Sequence, residues 1–108
     1  MTKKNLKMNN IKKIIAIELL NLLIEKHEDG DSLVRESDLK NRINSNHSEQ
    51  PNTNQITESV NLINSNCNRK IIVEGWISTG GFMGGSDESS YLTQSTKSFL
   101  NELILLIR

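Results

Sequence analysis

Cysteine, proline, tryptophan and tyrosine each occur once in the 108 residues, and aromatics together make up 4%. The lone thiol, Cys67, excludes a disulfide framework, and it cannot complete a zinc set without further thiols or a histidine at ligand spacing. With so few rings, a core must be built from isoleucine and leucine. Hydrophobic residues are only 35%, below the usual globular share; the 24% that are charged is ordinary and argues against a disordered polyelectrolyte. The length is that of one domain, which excludes an active-site cleft between domains. A domain of this size buries only about two-thirds of its unfolded surface, so a second subunit would add stability. No internal repeat and no linker composition divides the chain.

Net charge is also missing, because 13 basic and 13 acidic residues cancel. Their distribution is uneven. Lys3, Lys4, Lys7, Lys12 and Lys13 fall within the first 13 residues, with no acid among them; the other 95 residues carry 8 basic and 13 acidic groups. A basic segment on an acidic body is the pattern of a phosphate-seeking arm, and the plain alternative is a solubilising terminus. Residues 1–8 are expected as a flexible basic arm, with a single domain over 9–108. The apolar stretch from Ile14 to Ile24 is interrupted by Glu18 and Asn21 and has no small-residue cleavage site after it, so it does not read as a secretory signal. It is too short and too polar to span a bilayer. A soluble, cytoplasmic protein is the expectation, in keeping with a free thiol. The 14 asparagines are scattered and form no low-complexity tract.

Asn9 or Asn10 can cap a helix running from about Ile11 to Lys26. Its apolar residues occupy more than one stripe, as in a helix buried on most sides or against a second subunit. Glu28-Asp29-Gly30-Asp31 ends it with turn chemistry. Ser32 to Arg35 reads as a brief strand. Ser37 can cap a second helix, with Asp38 favoured in its first turn and Leu39 and Ile43 inward. Residues 44–52 read as a polar loop. Thr53 can cap a third helix to about Asn66, with Ile56, Val60 and Ile63 inward. The β-branched run from Lys70 to Ile77 is a strand, and Trp76 within it is expected in the core. Residues 79–90 hold four glycines and read as a hairpin tip. Tyr91-Leu92-Thr93 is a return strand, and Thr93 can cap a last helix through Ile107. That helix is apolar on too many sides for a solvated one. The predicted class is α+β, mainly α: three helices, a two-stranded hairpin wing and a C-terminal helix, which together describe a winged helix. A homodimer through the first and last helices is expected.

The residues Ile56-Thr57-Glu58-Ser59-Val60-Asn61-Leu62-Ile63, with Tyr91-Leu92-Thr93 and Phe99-Leu100 after them, resemble small bacterial and phage winged helix-turn-helix proteins, including the YjcQ-like family. The match covers the second half of the chain and concerns packing and capping. The resemblance implies a DNA-binding transcriptional regulator with no catalysis. Two departures stand out. Thr96 takes a place where the family often has glycine, and the loop between helices two and three is longer than the usual three or four residues.

In a winged helix, the third helix reads the major groove with its N-terminal residues. Those residues are Asn52, Thr53, Asn54, Gln55 and Thr57, with Glu58 beside them. Amide side chains can pair bidentately with adenine, although no arginine or lysine follows until Arg69 and Lys70. Lys40, Arg42, Arg69 and Lys70 are the candidate phosphate contacts, against the plain reading of ordinary surface charge. The Gly80-Gly81-Phe82-Met83-Gly84-Gly85 run lacks the Lys-Ser or Lys-Thr of a phosphate loop and is followed by acids. It reads as a wing tip. The alternative function, a phage- or mobile-element-encoded inhibitor or adaptor, would use Phe82 and Met83 as anchors in a protein partner. His27, His47 and Cys67 share no ligand spacing, and no nucleophile motif surrounds the thiol. No metal and no cofactor are expected.

Overall fold

The computed structural model describes residues 3–78 and 87–108, and side chains over 10–77 and 88–108. The elements are α1 (Lys3–Glu25), β1 (Ser32–Arg35), α2 (Glu36–His47), α3 (Thr53–Ser65), β2 (Ile72–Ser78), β3 (Asp87–Thr93) and α4 (Lys97–Ile107). The class is α+β, mainly helical, and the order of elements is the order expected from the sequence. The three strands form one antiparallel sheet in the order β1-β3-β2.

Helix α1 is the hub. Ile15, Ala16, Leu19, Leu20 and Leu23 are fully buried on it. It packs against α2, α3, α4 and β1, which accounts for apolar residues on more than one stripe. The helix begins at Lys3 and not at Ile11, so residues 3–8, expected as an arm, lie within it. No glycine or proline interrupts the run, and lysine, leucine and methionine propagate a helix well. The helix ends at the expected acidic turn. Glu28 and Asp31 exchange backbone hydrogen bonds of 2.8 and 3.1 Å across it. Gly30 sits there at φ +94°, a conformation that glycine adopts without strain.

The sheet presents two unlike faces. Ser32, Thr93 and Ile72 share one cross-strand row, and Val34 and Tyr91 share the next; all are buried beneath the helices. The Tyr91 hydroxyl has no hydrogen-bond partner among the described residues, and burial pushes its pKa far up. Helical cover fails along β2 beyond Ile72. Glu74 is already exposed, and Trp76, paired with Ser89 two residues on, is 74% exposed and not part of the core. Strand β3 is longer than the return strand expected over 91–93, because pairing with β2 continues to Asp87.

The caps differ in detail from those expected. Strand β1 runs straight into α2, so Arg35 is the N-cap and offers no side-chain bond. Glu88 of β3 supplies it, accepting from the Ser37 N–H at 3.0 Å. That hydrogen bond holds the Glu88 carboxyl below the usual carboxylate range. Thr96, and not Thr93, caps α4, accepting from the Phe99 N–H at 3.1 Å. Thr93 instead accepts from the Ser95 N–H. Helix α2 continues through His47, past the expected stop at Asn44, because its last turn finds partners on α1. The connection to α3 shortens to residues 48–52, with Ser48 left-handed at φ 56°.

Those partners centre on Glu18, the one buried carboxylate of α1. It accepts from Asn46 Nδ2 at 3.1 Å and meets His47 Nε2 at 2.8 Å, with Arg42 Nε at 3.3 Å. Arg42 also grips Glu25 through two N–H groups. Burial acts to raise the Glu18 pKa, but the hydrogen bonds from Asn46 and His47 and the Arg42 charge outweigh it, leaving Glu18 below its ordinary 4.5. The folded state therefore holds this proton more weakly than the unfolded chain. The resulting stability is present above pH 4.5 and is lost as pH falls through the folded value. Replacing Glu18 by glutamine is expected to cost about 1.5–3 kcal/mol at neutral pH. The variant should also show a flatter loss of stability on acidification. Urea unfolding of both proteins across the acid range checks this, and an equally steep acid limb would refute it.

Candidate functional site

Helix α3 is fixed at its N-terminus by a reciprocal cap. Asn52 Oδ1 accepts from the Gln55 N–H at 2.8 Å, and Gln55 Oε1 accepts from the Asn52 N–H at 2.9 Å. Thr53, expected as the cap, is the first helical residue, and its hydroxyl donates to Glu36 at 2.8 Å. Three of the five residues expected to read a ligand are thus engaged in building and docking the helix. Ile56 and Ser59 turn inward. Left facing outward are Asn54, Glu58 and Asn61, with Thr57 half-buried among them. Their spacing of i, i+3, i+4 and i+7 makes them one continuous face.

The packing of α1 on α3 adds cations to that face. A groove of about 540 Å³ between the two helices is lined by Asn10, Lys12, Lys13, Glu58, Asn61, Leu62 and Ser65. Lys12 Nζ lies 3.8 Å from Glu58, which tempers the negative charge at the middle of the face. The sequence signalled the lysines and the helix separately. Their adjacency, and the place of Asn61 in it, are tertiary and carry no local signal.

The expected phosphate contacts are distributed over the molecule. Lys40, in the second turn of α2, lies 3.5 Å from Glu36, the carboxylate that also accepts from Thr53 of α3. Arg42 faces α1 and is engaged by Glu25 and Glu18. Arg69 and Lys70 follow the far end of α3. A helix of 13 residues puts them about 20 Å from its N-terminus. Asn64 holds this turn: its Oδ1 accepts from the Ile71 and Ile72 N–H groups at 2.9 and 3.0 Å, and its Nδ2 donates to the Ile72 carbonyl. Arg69 and Lys70 therefore do not join the Asn54 face. Phe82 and Met83 lie outside the described residues.

Burial pushes the Cys67 thiol up, away from thiolate character, and its sulfur donates to the Ile63 carbonyl. His47 is held by Glu18, and His27 Nε2 lies 3.0 Å from the Ser95 carbonyl. Among the described residues, no group of three or more His, Cys, Asp or Glu side chains could hold a metal ion.

The cap and the exposed face separate experimentally. Asn52→Ala is expected to lower stability by about 1 kcal/mol, through loss of an N-cap. Asn54→Ala, one residue on and exposed, should change it by less than about 0.5 kcal/mol. Urea denaturation of the two variants tests this, and equal losses would contradict the assignment of the cap.

No protein-family model matches the chain, and no curated protein matches it. Among solved structures, it is similar to the crystal structure of the circadian clock associated protein Pex from Anabaena. The TM-score is 0.58 at 12% identity, over 99% of this chain and 92% of that one. At that identity the likeness is one of fold.

Proposed function

We propose that this chain is a winged-helix DNA-binding protein, a transcriptional regulator acting without catalysis or cofactor, akin to the small bacterial and phage proteins of the YjcQ-like kind. The observation that carries the reading is the exposed face Asn54–Thr57–Glu58–Asn61 on α3, flanked by Lys12 and Lys13 of α1. In this reading α3 enters the major groove and the β2–β3 hairpin is the wing. Asn54 and Asn61 present amides to adenine edges, Thr57 presents a hydroxyl and a methyl, and Glu58 accepts from cytosine. Lys12 and Lys13 meet phosphate, with Lys40 at the edge of the contact. With no arginine or lysine on the reading face, guanine lacks its usual partner, and A·T-rich sites are favoured.

The protein is proposed to work as a cytoplasmic homodimer. Leu105 and Leu106 at the end of α4 are 70% and 67% exposed, a costly pair to leave in water on a helix that otherwise buries Leu100, Leu103, Ile104 and Ile107. Pairing of α4 and α1 across a two-fold axis would cover them, and docking of both subunits on one face of DNA then requires the two α3 helices about 34 Å apart, one turn of the duplex. None of the described helices is long and apolar enough to cross a membrane.

Fluorescence anisotropy against a mixed-sequence duplex tests the reading. With about six phosphate contacts, affinity should fall roughly a thousandfold between about 50 and about 200 mM salt. Asn54→Ala with Asn61→Ala should abolish preference for A·T-rich duplexes. Lys12→Gln with Lys13→Gln should weaken binding to all sequences and lower the salt slope by about four in the dimer, about two for each protomer. Absence of binding at the lower salt would overturn the proposal. For the dimer, sedimentation of Leu105→Asp with Leu106→Asp should show a monomer where the parent shows twice the mass; a parent that sediments as a monomer would refute it.

A further inference from the structure

The end of the molecule that carries Arg69 and Lys70 has a surface of its own, apart from the α3 face. Two clefts adjoin there, of about 420 and 190 Å³, sharing Arg69, Ile71, Gln94 and Ser95 as lining. The first ends on Phe99 of α4, and the second on Val73 and Leu92 of the sheet. Val73 and Leu92 continue into Leu33 by strand register, since Val73 pairs with Leu92 and Leu92 with Leu33. The result is an apolar track across the outer face of the sheet and around its end. Phe99, Val73 and Leu33 along it are 37%, 51% and 42% exposed, and no described helix covers it.

Charge along the track is polarised. Arg69 and Lys70 are exposed beside the clefts, and neither forms an ion pair with a described residue. Asp31, exposed, precedes β1 at the opposite edge of the sheet. The site is also preformed. Asn64 fixes the turn bearing Arg69 and Lys70, while His27 and the Thr93 hydroxyl fix the segment bearing Gln94 and Ser95. A preformed surface loses little entropy when a chain is laid on it.

We propose that this corner binds a segment of a partner protein, apolar along its length and acidic at the end that meets Arg69 and Lys70. Apolar side chains of the segment lie over Ile71, Val73 and Leu92, and its carboxylates pair with the two cations. This surface is independent of the DNA reading. It gives a regulator a second face through which another protein could be recruited while α3 stays on its site.

The test uses the full chain and a short fluorescein-labelled leucine-rich peptide ending in glutamates, compared with its counterpart ending in lysines. The glutamate peptide is expected to bind more tightly. Arg69→Glu with Lys70→Glu should weaken it about tenfold, the loss of two exposed charge pairs with reversal of sign. Val73→Asp should weaken it similarly, and Asn54→Ala should leave it unchanged. All the altered side chains are exposed, and thermal melts followed by circular dichroism establish that the variants fold. The proposal is overturned if the two peptides bind alike, if neither binds, or if binding survives both the charge reversal and Val73→Asp. It is also overturned if duplex DNA displaces the peptide and the charge reversal removes DNA affinity to the same degree, because the cations then belong to the nucleic-acid face. Loss of duplex binding with retained peptide binding would instead remove the DNA reading and leave this one standing.

Discussion

The burial of α1 is the constraint on which the other elements depend. A chain with so few aromatic residues must build its interior from aliphatic side chains, and α1 supplies five of the fully buried ones. Each fully buried leucine or isoleucine is worth about 1.5–3 kcal/mol relative to exposure. Among the described residues no other element buries as many apolar side chains: α2 contributes Leu39 and Ile43, α3 Ile56, Val60 and Ile63, and α4 Leu100, Leu103, Ile104 and Ile107. The helices are arranged around α1, and the sheet closes the remaining side.

A helix buried on several sides has little room for charge, and Glu18 shows how the exception is managed. Its carboxylate is too poorly hydrated to stand alone, so α2 wraps it with an amide, an imidazole and a guanidinium. The same contact fixes the length of α2 and shortens the connection to α3. Orientation of α3 is then completed by Thr53 on Glu36 and by the Asn52–Gln55 cap. A second carboxylate, Glu88, performs the corresponding task between sheet and α2. Polar side chains in this protein are largely fasteners between elements, so candidate binding residues have to be sought among those left over.

That division explains what the sequence made legible. Helical period placed Ile56, Val60 and Ile63 inward, and the β-branched run at 71–73 marked a strand; both are local signals that burial obeys. The order of elements followed. Cap positions slipped because several residues near each terminus could serve, and tertiary partners chose among them: Glu88 for α2, and Thr96 over Thr93 for α4. Trp76 departs from expectation because ring chemistry says only that burial would be favourable. Whether the helices reach that far along β2 depends on the placement of the whole layer. For the candidate site the limit is sharper. Asn52, Thr53, Asn54 and Gln55 are similar as a list of polar residues, yet three hold the helix in place and one faces out. Only the hydrogen-bond partners distinguish them.

The uneven charge of the chain acquires a geometrical meaning from the fold. Zero net charge on a small domain argues against nonspecific attraction to polyanions, since long-range steering scales with the summed field. The cations are nevertheless not uniformly neutralised. Four of the ten whose side chains are described are paired: Lys12 with Glu58, Lys26 with Asp38, Lys40 with Glu36, and Arg42 with Glu18 and Glu25. Of those without an ion pair to a described residue, Lys13 lies beside the α3 face and Arg69–Lys70 at the other end of that helix, while Arg35, Lys97 and Arg108 are exposed elsewhere. Screening confines each to about 8–10 Å at physiological salt, less than the helix that separates them. The two ends therefore act as separate electrostatic surfaces, and a ligand at either recognises only its local pattern. At one end that pattern is amide, hydroxyl and lysine, and at the other it is paired cations beside an apolar track.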